Sequence, residues 1–233
     1  MKPLLSFVTG TLNRRDGFNR MLRSIVERVK VPWELVVSNA SNDLYPDVYP
    51  PNVKVFHEKP RLGCVKGYNY AFRRARGRWV IWLNDDAEVM PGCDTNAIEF
   101  MEHHPKVGLG ALYYAENMLP YHVSDYHDMI YANFGIINRE LGNYVGWFDD
   151  YLMMYGNDNS LTFKVLLAGL GVVGIPRARI WHHAFPDAVR IENMKNQPSD
   201  ANLLMQHYRH RIEEMRRTYV LFDDLQGPIN LSE

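Results

Sequence analysis

The sequence predicts a single α/β domain with a mainly parallel, doubly wound central sheet and flanking helices. Three observations lead there. Apolar runs of strand length alternate with helix-period segments over the first ~85 residues. The runs end in polar clusters at 9–14, 38–43 and 84–86. The chain has 233 residues, 46% of them hydrophobic, which is enough for one sizeable core, or one core plus a small subdomain.

Leu4 to Val8 is a short apolar run and predicts the first strand. Phe18, Met21, Leu22, Ile25, Val26 and Val29 then recur at i, i+3, i+4 and i+7, the spacing of an amphipathic helix, and Pro32 stops it. Glu34 to Val37 predicts a second strand running into Ser38-Asn39-Ala40-Ser41-Asn42-Asp43, and the proline-rich 45–52 reads as a loop. Val53 to Phe56 predicts a third strand, 66–76 a helix closed by Gly77, and Trp79 to Leu83 a fourth strand. Ligands of such sheets bind beyond the carboxyl ends of the strands, so the three polar clusters are expected to converge on one crevice.

From residue 94 the alternation loses its regularity. A helix to His104 is halted by Pro105, a strand is expected at Val107 to Leu112, and a tyrosine- and histidine-rich stretch follows to Tyr131. Strand-like Phe134 to Asn138 leads into a Gly-rich, aromatic segment over 142–156. A helix over 158–168, a strand at Val172 to Ile175 and the short "ARIWHH" come next. Residues 200–220 read as a last amphipathic helix, whose mixture of Arg209, Arg211, Arg216 and Arg217 with Glu213 and Glu214 suits a solvated face.

A formal net charge of -1 provides no global pull toward nucleic acid or anionic membrane. Cys64 and Cys93 are too few for a disulfide framework and sit in no metal-spaced cluster, so a reduced, cytoplasmic setting is expected. The N-terminal apolar stretch is shorter than a signal-peptide core, and no run approaches the roughly 20 apolar residues that span a bilayer. Without a secretory signal, the sequons at 39–41 and 230–232 read as chance.

"WVIWLNDDAEV", Trp79 to Val89, ends an apolar strand on Asn84-Asp85-Asp86. Adjacent carboxylates at the mouth of a core strand cost free energy unless a cation or a hydrogen-bond network compensates. Three further segments join it in order: "FVTGTLNRRDGFNRMLRSI", "WELVVSNASND" and "VGWFDDYLMMYGNDNSLTFKVLLAGLGVVGIPRARIWHH". With "RLGCVKGYNYAFRRARGRWVIWLNDDAEV", these resemble the successive motifs of the inverting GT-A glycosyltransferases of family 2 over residues 4–185.

The resemblance implies a nucleotide-sugar-binding half over 1–92, an acceptor-binding and catalytic half over 93–199, and a C-terminal helix and tail over 200–233. It implies Mn²⁺ or Mg²⁺ on the donor's diphosphate, with Asp86 and His182 as metal ligands and His183 competing with His182. Asn84 and Asp85 would face the donor's ribose or the metal's waters. Thr9, Thr11 and Asn13 at the first strand's end, and Asn39 at the second's, would border the nucleotide. Asn39 stands where the family usually has aspartate, and its amide can both donate and accept. Arg61, Gly63, Lys66, Gly67 and Asn69 match the Gly-rich donor segment, although Arg61 and Lys66 also suit a plain surface. Asp158 matches the family's base, at a helix start where the dipole favours ionisation, and a helix N-cap is the alternative role for it or Asn157. Trp147, Asp149, Asp150 and Asn157 fall on the acceptor side.

The function implied is transfer from a nucleotide-diphosphate sugar, a UDP-sugar foremost, to a hydroxyl acceptor by direct displacement. Glycan, lipid-linked and other hydroxyl acceptors stay open, and the arginine-rich last helix leaves a nucleic-acid acceptor open too. The alternative is a non-catalytic sugar-nucleotide or glycan-binding module on the same fold.

Overall fold

A computed structural model of the protein describes residues 2–41, 49–116, 122–123, 130–184 and 186–222. Parts of the 38–43 cluster, of the 45–52 loop and of the stretch to Tyr131 lie outside these residues, as does the tail from 223, with its sequon.

The first apolar run forms β1 (Leu5–Thr11), and α1 (Arg15–Arg28) follows with Phe18, Met21 and Ile25 buried. Val26 departs from the predicted stripe and is 49% exposed. β2 (Trp33–Asn39) runs parallel to β1, in register from Leu5 opposite Trp33 to Thr11 opposite Asn39, which brings the two polar ends level. β3 (Val53–His57) extends the sheet beside β2. The helix expected over 66–76 is α2 (Cys64–Phe72), and β4 (Trp79–Trp82) then pairs parallel with β1 on its other side.

The second half completes the same sheet. β9 (Gly135–Asn138) lies antiparallel between β4 and β6 (Val107–Tyr114). β10 (Gly171–His182) runs parallel to β6, and β5 (Ala87–Val89) pairs antiparallel with the far end of β10. The order is β3-β2-β1-β4-β9-β6-β10-β5, beside a two-stranded ribbon of β7 (His122–Val123) and β8 (Ile130–Tyr131). The segment read as a strand at Val172 to Ile175 and a separate "ARIWHH" is therefore one strand of 12 residues. Pro176 sits where its register with β6 shifts, between Ile175 and Arg179, a place that needs no ladder donor.

Apolar side chains cover both faces of the sheet. On one, Phe7 and Ile81 meet Phe18 and Met21 of α1 and Met101 of α3 (Cys93–His103). On the other, Val36 and Trp82 meet Phe72 of α2 and Phe163 of α5 (Asn157–Leu167). The helix expected over 200–220 is broken into α7 (Gln197–Tyr208), a 3₁₀ turn at Arg209–Arg211 and α8 (Ile212–Val220). Its solvated side carries the Arg211–Glu214 pair, while Leu204, Tyr208, Ile212 and Met215 join the second core. Two short helices, α4 (Arg139–Val145) and α6 (Ala188–Met194), had no periodic signal. Among the described residues no helix is long and apolar enough to cross a membrane.

At the amino ends of the strands, Glu34 is 1% exposed. Its Oε1 accepts from Ser6 Oγ at 2.8 Å and the Arg76 amide at 2.6 Å, and its Oε2 from Lys54 Nζ at 2.9 Å and Arg76 Nε at 3.1 Å. Burial opposes ionisation, but the bonds from Lys54, Ser6 and Arg76 outweigh it and hold the carboxyl below its usual range. Such a group stabilises the fold above its unfolded pKa and loses that contribution as pH falls through the folded value. Glu34→Gln is expected to lower stability by about 2–3 kcal/mol at neutral pH. The deficit should shrink in acid, and equal urea midpoints at pH 7 would refute it.

Candidate active site

The polar strand ends converge on a cavity of about 720 Å³. Thr11, Arg14, Asn84 and Asp85 line it from the sheet, Gly63, Cys64 and Tyr68 from the start of α2, and His182 from the end of β10. Met154 to Asn159 form the wall that leads into α5, and Arg190 and Met194 of α6 and Leu204 of α7 close it.

Asp85 and Asp86 are 4% and 3% exposed, so their charges need partners. Thr11 Oγ1 donates to Asp85 Oδ2 at 2.8 Å, and Arg14 Nη1 lies 3.2 Å from Asp85 Oδ1 and 3.6 Å from Asp86 Oδ2. Burial pushes the Asp85 carboxyl up to about 6, against the pull of Arg14 and Thr11. Burial acts on Asp86 in the same direction, but His182, Arg14 and Arg190 outweigh it and hold that carboxyl below its usual range. Asp86 thus retains the negative charge. Helix α1 sits directly on this turn, because a Cβ at Gly17 would lie 2.8 Å from the Asp85 carbonyl oxygen.

His182 reaches Asp86 from the end of the neighbouring strand. It pairs with Ala87, the residue after Asp86, and its Nε2 lies 3.2 Å from Asp86 Oδ1. His183 points the other way, with Nε2 2.8 Å from Glu88 Oε1, as the alternation of a strand requires. Arg190 Nη2 is 3.5 Å from both Asp86 Oδ2 and His182 Nε2. Asp86 Oδ1 is buried without a hydrogen bond of regular geometry, since the His182 approach is close but poorly aligned. A buried carboxylate oxygen with spare capacity beside an imidazole fits a divalent cation of the Mn²⁺ type. Among the described residues no three His, Cys, Asp or Glu side chains converge as a ready-made metal set, so the protein offers Asp86 and His182.

Asp158 lines the same cavity, in the first turn of α5. The N-cap of that helix is Gly156, in the left-handed region at φ 75°, so neither Asp158 nor Asn157 is the cap residue. Asp158 Oδ1 accepts from the Asn159 amide at 2.9 Å. Burial pushes its carboxyl up to about 7, opposed by that amide and its own.

The remaining expected residues lie on the cavity, beside it or away from it. Thr11, Arg61, Gly63, Asn84, Asp85 and Asn157 line the cavity. Asn13 and Asn39 flank it through Ser41: the Asn13 amide donates to Ser41 Oγ, and Asn39 Oδ1 accepts from the Ser41 amide. Thr9 is buried within β1, and Lys66 points to solvent. Gly67 lets α2 approach β2, because a Cβ there would lie 2.6 Å from Glu58 Oε1. Asn69, Trp147, Asp149 and Asp150 form a packed staple. The Asn69 amide brackets the Phe148 backbone and donates to Asp150 Oδ1, and Trp147 stacks on Phe72 with centroids 4.3 Å apart. Asp149 is held by Lys164, Tyr151 and Tyr208.

Three features of the site had no reading in the sequence. Asp187 binds Arg14 through two contacts of 2.7 and 2.8 Å, Arg190 reaches the acid pair, and Asp200 anchors the Met153–Tyr155 backbone. Arg14 alone had a local signal, as the arginine of the "TLNR" turn.

A sequence profile described as Glycosyl transferase family 2 matches residues 6–156. The putative teichuronic acid biosynthesis glycosyltransferase TuaG of Bacillus subtilis is 27% identical over 107 residues, 43% of this chain and 42% of that protein. The chain spans less than half the length of the curated relatives it matches. The mannosyltransferase PcManGT from Pyrobaculum calidifontis, in complex with GDP-Man and Mn²⁺, superposes with a TM-score of 0.62 at 15% identity, covering 98% of this chain and 77% of that one. GalNAc-T7 with UDP, GalNAc and Mn²⁺ also gives 0.62 at 14% identity, over 82% and 46% of the two chains. The fold is thus the GT-A fold.

Asp158 generates a stability prediction. Its folded value of about 7 lies above its ordinary 3.8, so it costs the fold increasing stability as pH rises from the second value to the first. Asp158→Asn should therefore melt above the wild type at about pH 8, with the gap closing near pH 4. Calorimetric melts that differ equally at both pH values would contradict the enclosed carboxyl.

Proposed function

The chain belongs to glycosyl transferase family 2, and from that membership we propose that it moves a sugar from a nucleotide-diphosphate donor to a hydroxyl acceptor by direct displacement with inversion. The observation that carries this reading is one cavity lined by both His182 and Asp158, with the buried Asp86 carboxylate 3.2 Å from the His182 imidazole. Mn²⁺ or Mg²⁺ held by Asp86 and His182 would neutralise the charge of the donor's diphosphate. Thr11, Asn13 and Asn39 border the nucleotide, and Arg61 at the cavity rim attracts the phosphates. Asp85, fixed by Thr11 and Arg14, orients the donor's ribose. Asp158 takes the acceptor's hydroxyl proton, and a carboxyl near 7 is a stronger base than an ordinary one while still available near neutrality.

A UDP-sugar is the first donor to test, given the UDP bound by GalNAc-T7, with a GDP-sugar beside it, given the GDP-Man of PcManGT. The acceptors to test are glycan, lipid-linked and other hydroxyl compounds. In a thermal-shift screen of UDP-, GDP- and TDP-sugars, one donor class is expected to raise the melting temperature with Mn²⁺ and not with EDTA. His182→Ala should abolish that Mn²⁺-dependent shift and His183→Ala should keep it. No shift from any donor would refute the donor site. Asp158→Asn should keep the shift and lower kcat at least about 100-fold, and undiminished transfer would remove Asp158 from the role of base.

A further inference from the structure

Asp200 is completely buried, on the first turn of α7, beyond the stretch 6–156 that matches the family. Its carboxylate is wrapped by three consecutive backbone amides of another segment. Oδ1 accepts from Met153 N at 2.9 Å, and Oδ2 accepts from Met154 N at 2.9 Å and Tyr155 N at 2.8 Å. These residues form no helix or strand, so their amides have no ladder to satisfy them. The next three residues are Gly156, Asn157 and Asp158. Met154 to Asn159 line the cavity together with Ala201 and Leu204, which lie one and four residues beyond Asp200 on the same helix. A Cβ at Gly156 would lie 3.4 Å from Leu204 Cδ2, so the left-handed turn before Asp158 is seated on α7 itself.

We propose that Asp200 is a positioning residue for glycosyl transfer: its carboxylate fixes the 153–155 backbone and thereby sets the acceptor-side wall and the approach of Asp158. The inference rests on the reading of Asp158 as the base. The chemistry demands a carboxylate. Three donors require an acceptor-only group with two oxygens, and an asparagine would turn an NH₂ toward at least one backbone N–H. Asp200 touches neither donor nor acceptor, so its removal should spare the donor side, which the strand ends build independently.

The test compares full-length wild type, Asp200→Asn and Asp94→Asn. Asp94 is a control of similar construction, completely buried and accepting the Lys30 and Val31 amides at 2.7 and 3.1 Å, on the α1–β2 connection. In Asp200→Asn, hydrogen exchange at the 153–155 amides should quicken at least about tenfold. With UDP and MnCl₂ as the binding probe, Kd should stay within about twofold, while kcat on the best donor of the thermal-shift panel falls about 10- to 100-fold with donor KM unchanged. Asp94→Asn should leave kcat and 153–155 exchange as in the wild type.

Wild-type kcat in Asp200→Asn, or unchanged protection of 153–155, overturns the proposal, as does an equal loss of kcat in Asp94→Asn. If Asp200→Asn yields no folded protein, Asp200→Glu replaces it, keeping the charge but displacing it by one methylene. A fall in its kcat with UDP binding retained supports the proposal, and wild-type kcat overturns it. A wild type that neither binds nor turns over any nucleotide sugar instead sinks the transferase reading, and the exchange result still reports on the anchor.

Discussion

The antiparallel pairing of β5 with β10 is the constraint on which the site depends. It sets Ala87 opposite His182 and so brings the Asp86 turn to the end of β10, where the imidazole lies 3.2 Å from the Asp86 carboxylate, although the two residues are nearly a hundred positions apart. The Asp86 carbonyl also accepts from the His183 amide at 3.0 Å, so the ladder continues through the acidic turn. A slip of one residue would turn His182 and His183 to the opposite faces of the sheet. Beyond the bulge at Ile175 to Arg179, β10 pairs with β6 again at Arg179 and Ile180 while β5 pairs with its other edge.

Around that pair the site holds opposing charges in balance. Asp85 and Asp86 are buried together, which is tolerable because Arg14 lies against both and is itself held by Asp187. The two carboxyls are driven apart, Asp85 upward by burial and Asp86 downward by its cationic neighbours, so one acid of the pair retains the charge. Asp158 has no cation comparable to Arg14 among its resolved influences, and burial alone carries its carboxyl toward neutrality. Two environments thus hold the Asp86 carboxyl below its usual range and the Asp158 carboxyl above it.

The back of the cavity is structural. Asn69, Trp147 and Asp149 are placed by the family motifs, Asn69 with the donor segment and the other two on the acceptor side. Each is engaged in joining α2, the 147–150 turn, α5 and α7, through Phe148, Phe72, Lys164 and Tyr208. Asp200 belongs to the same layer. Its role was illegible because its partners are backbone amides 45 to 47 residues away, and a backbone amide leaves no mark in the sequence.

The sequence by itself determined the alternation of strands and helices, the polar strand ends, and the identity of Asp86, Asp158 and a histidine at 182 or 183 as site candidates. The alternation and the polar strand ends are local properties, namely periodicity, punctuation by proline and glycine, and clusters contiguous in the chain, whereas Asp158 and the histidine stand out through the family motifs they resemble. Tertiary structure alone decided that β10 is one strand and that the last helix breaks to bury Leu204 and Met215. It also decided that His182 rather than His183 meets Asp86, and that Arg14, Asp187 and Arg190 surround the acids. Each of these depends on pairing between distant segments, and the free energy that selects one pairing is a property of the packed core, which no single stretch of chain contains.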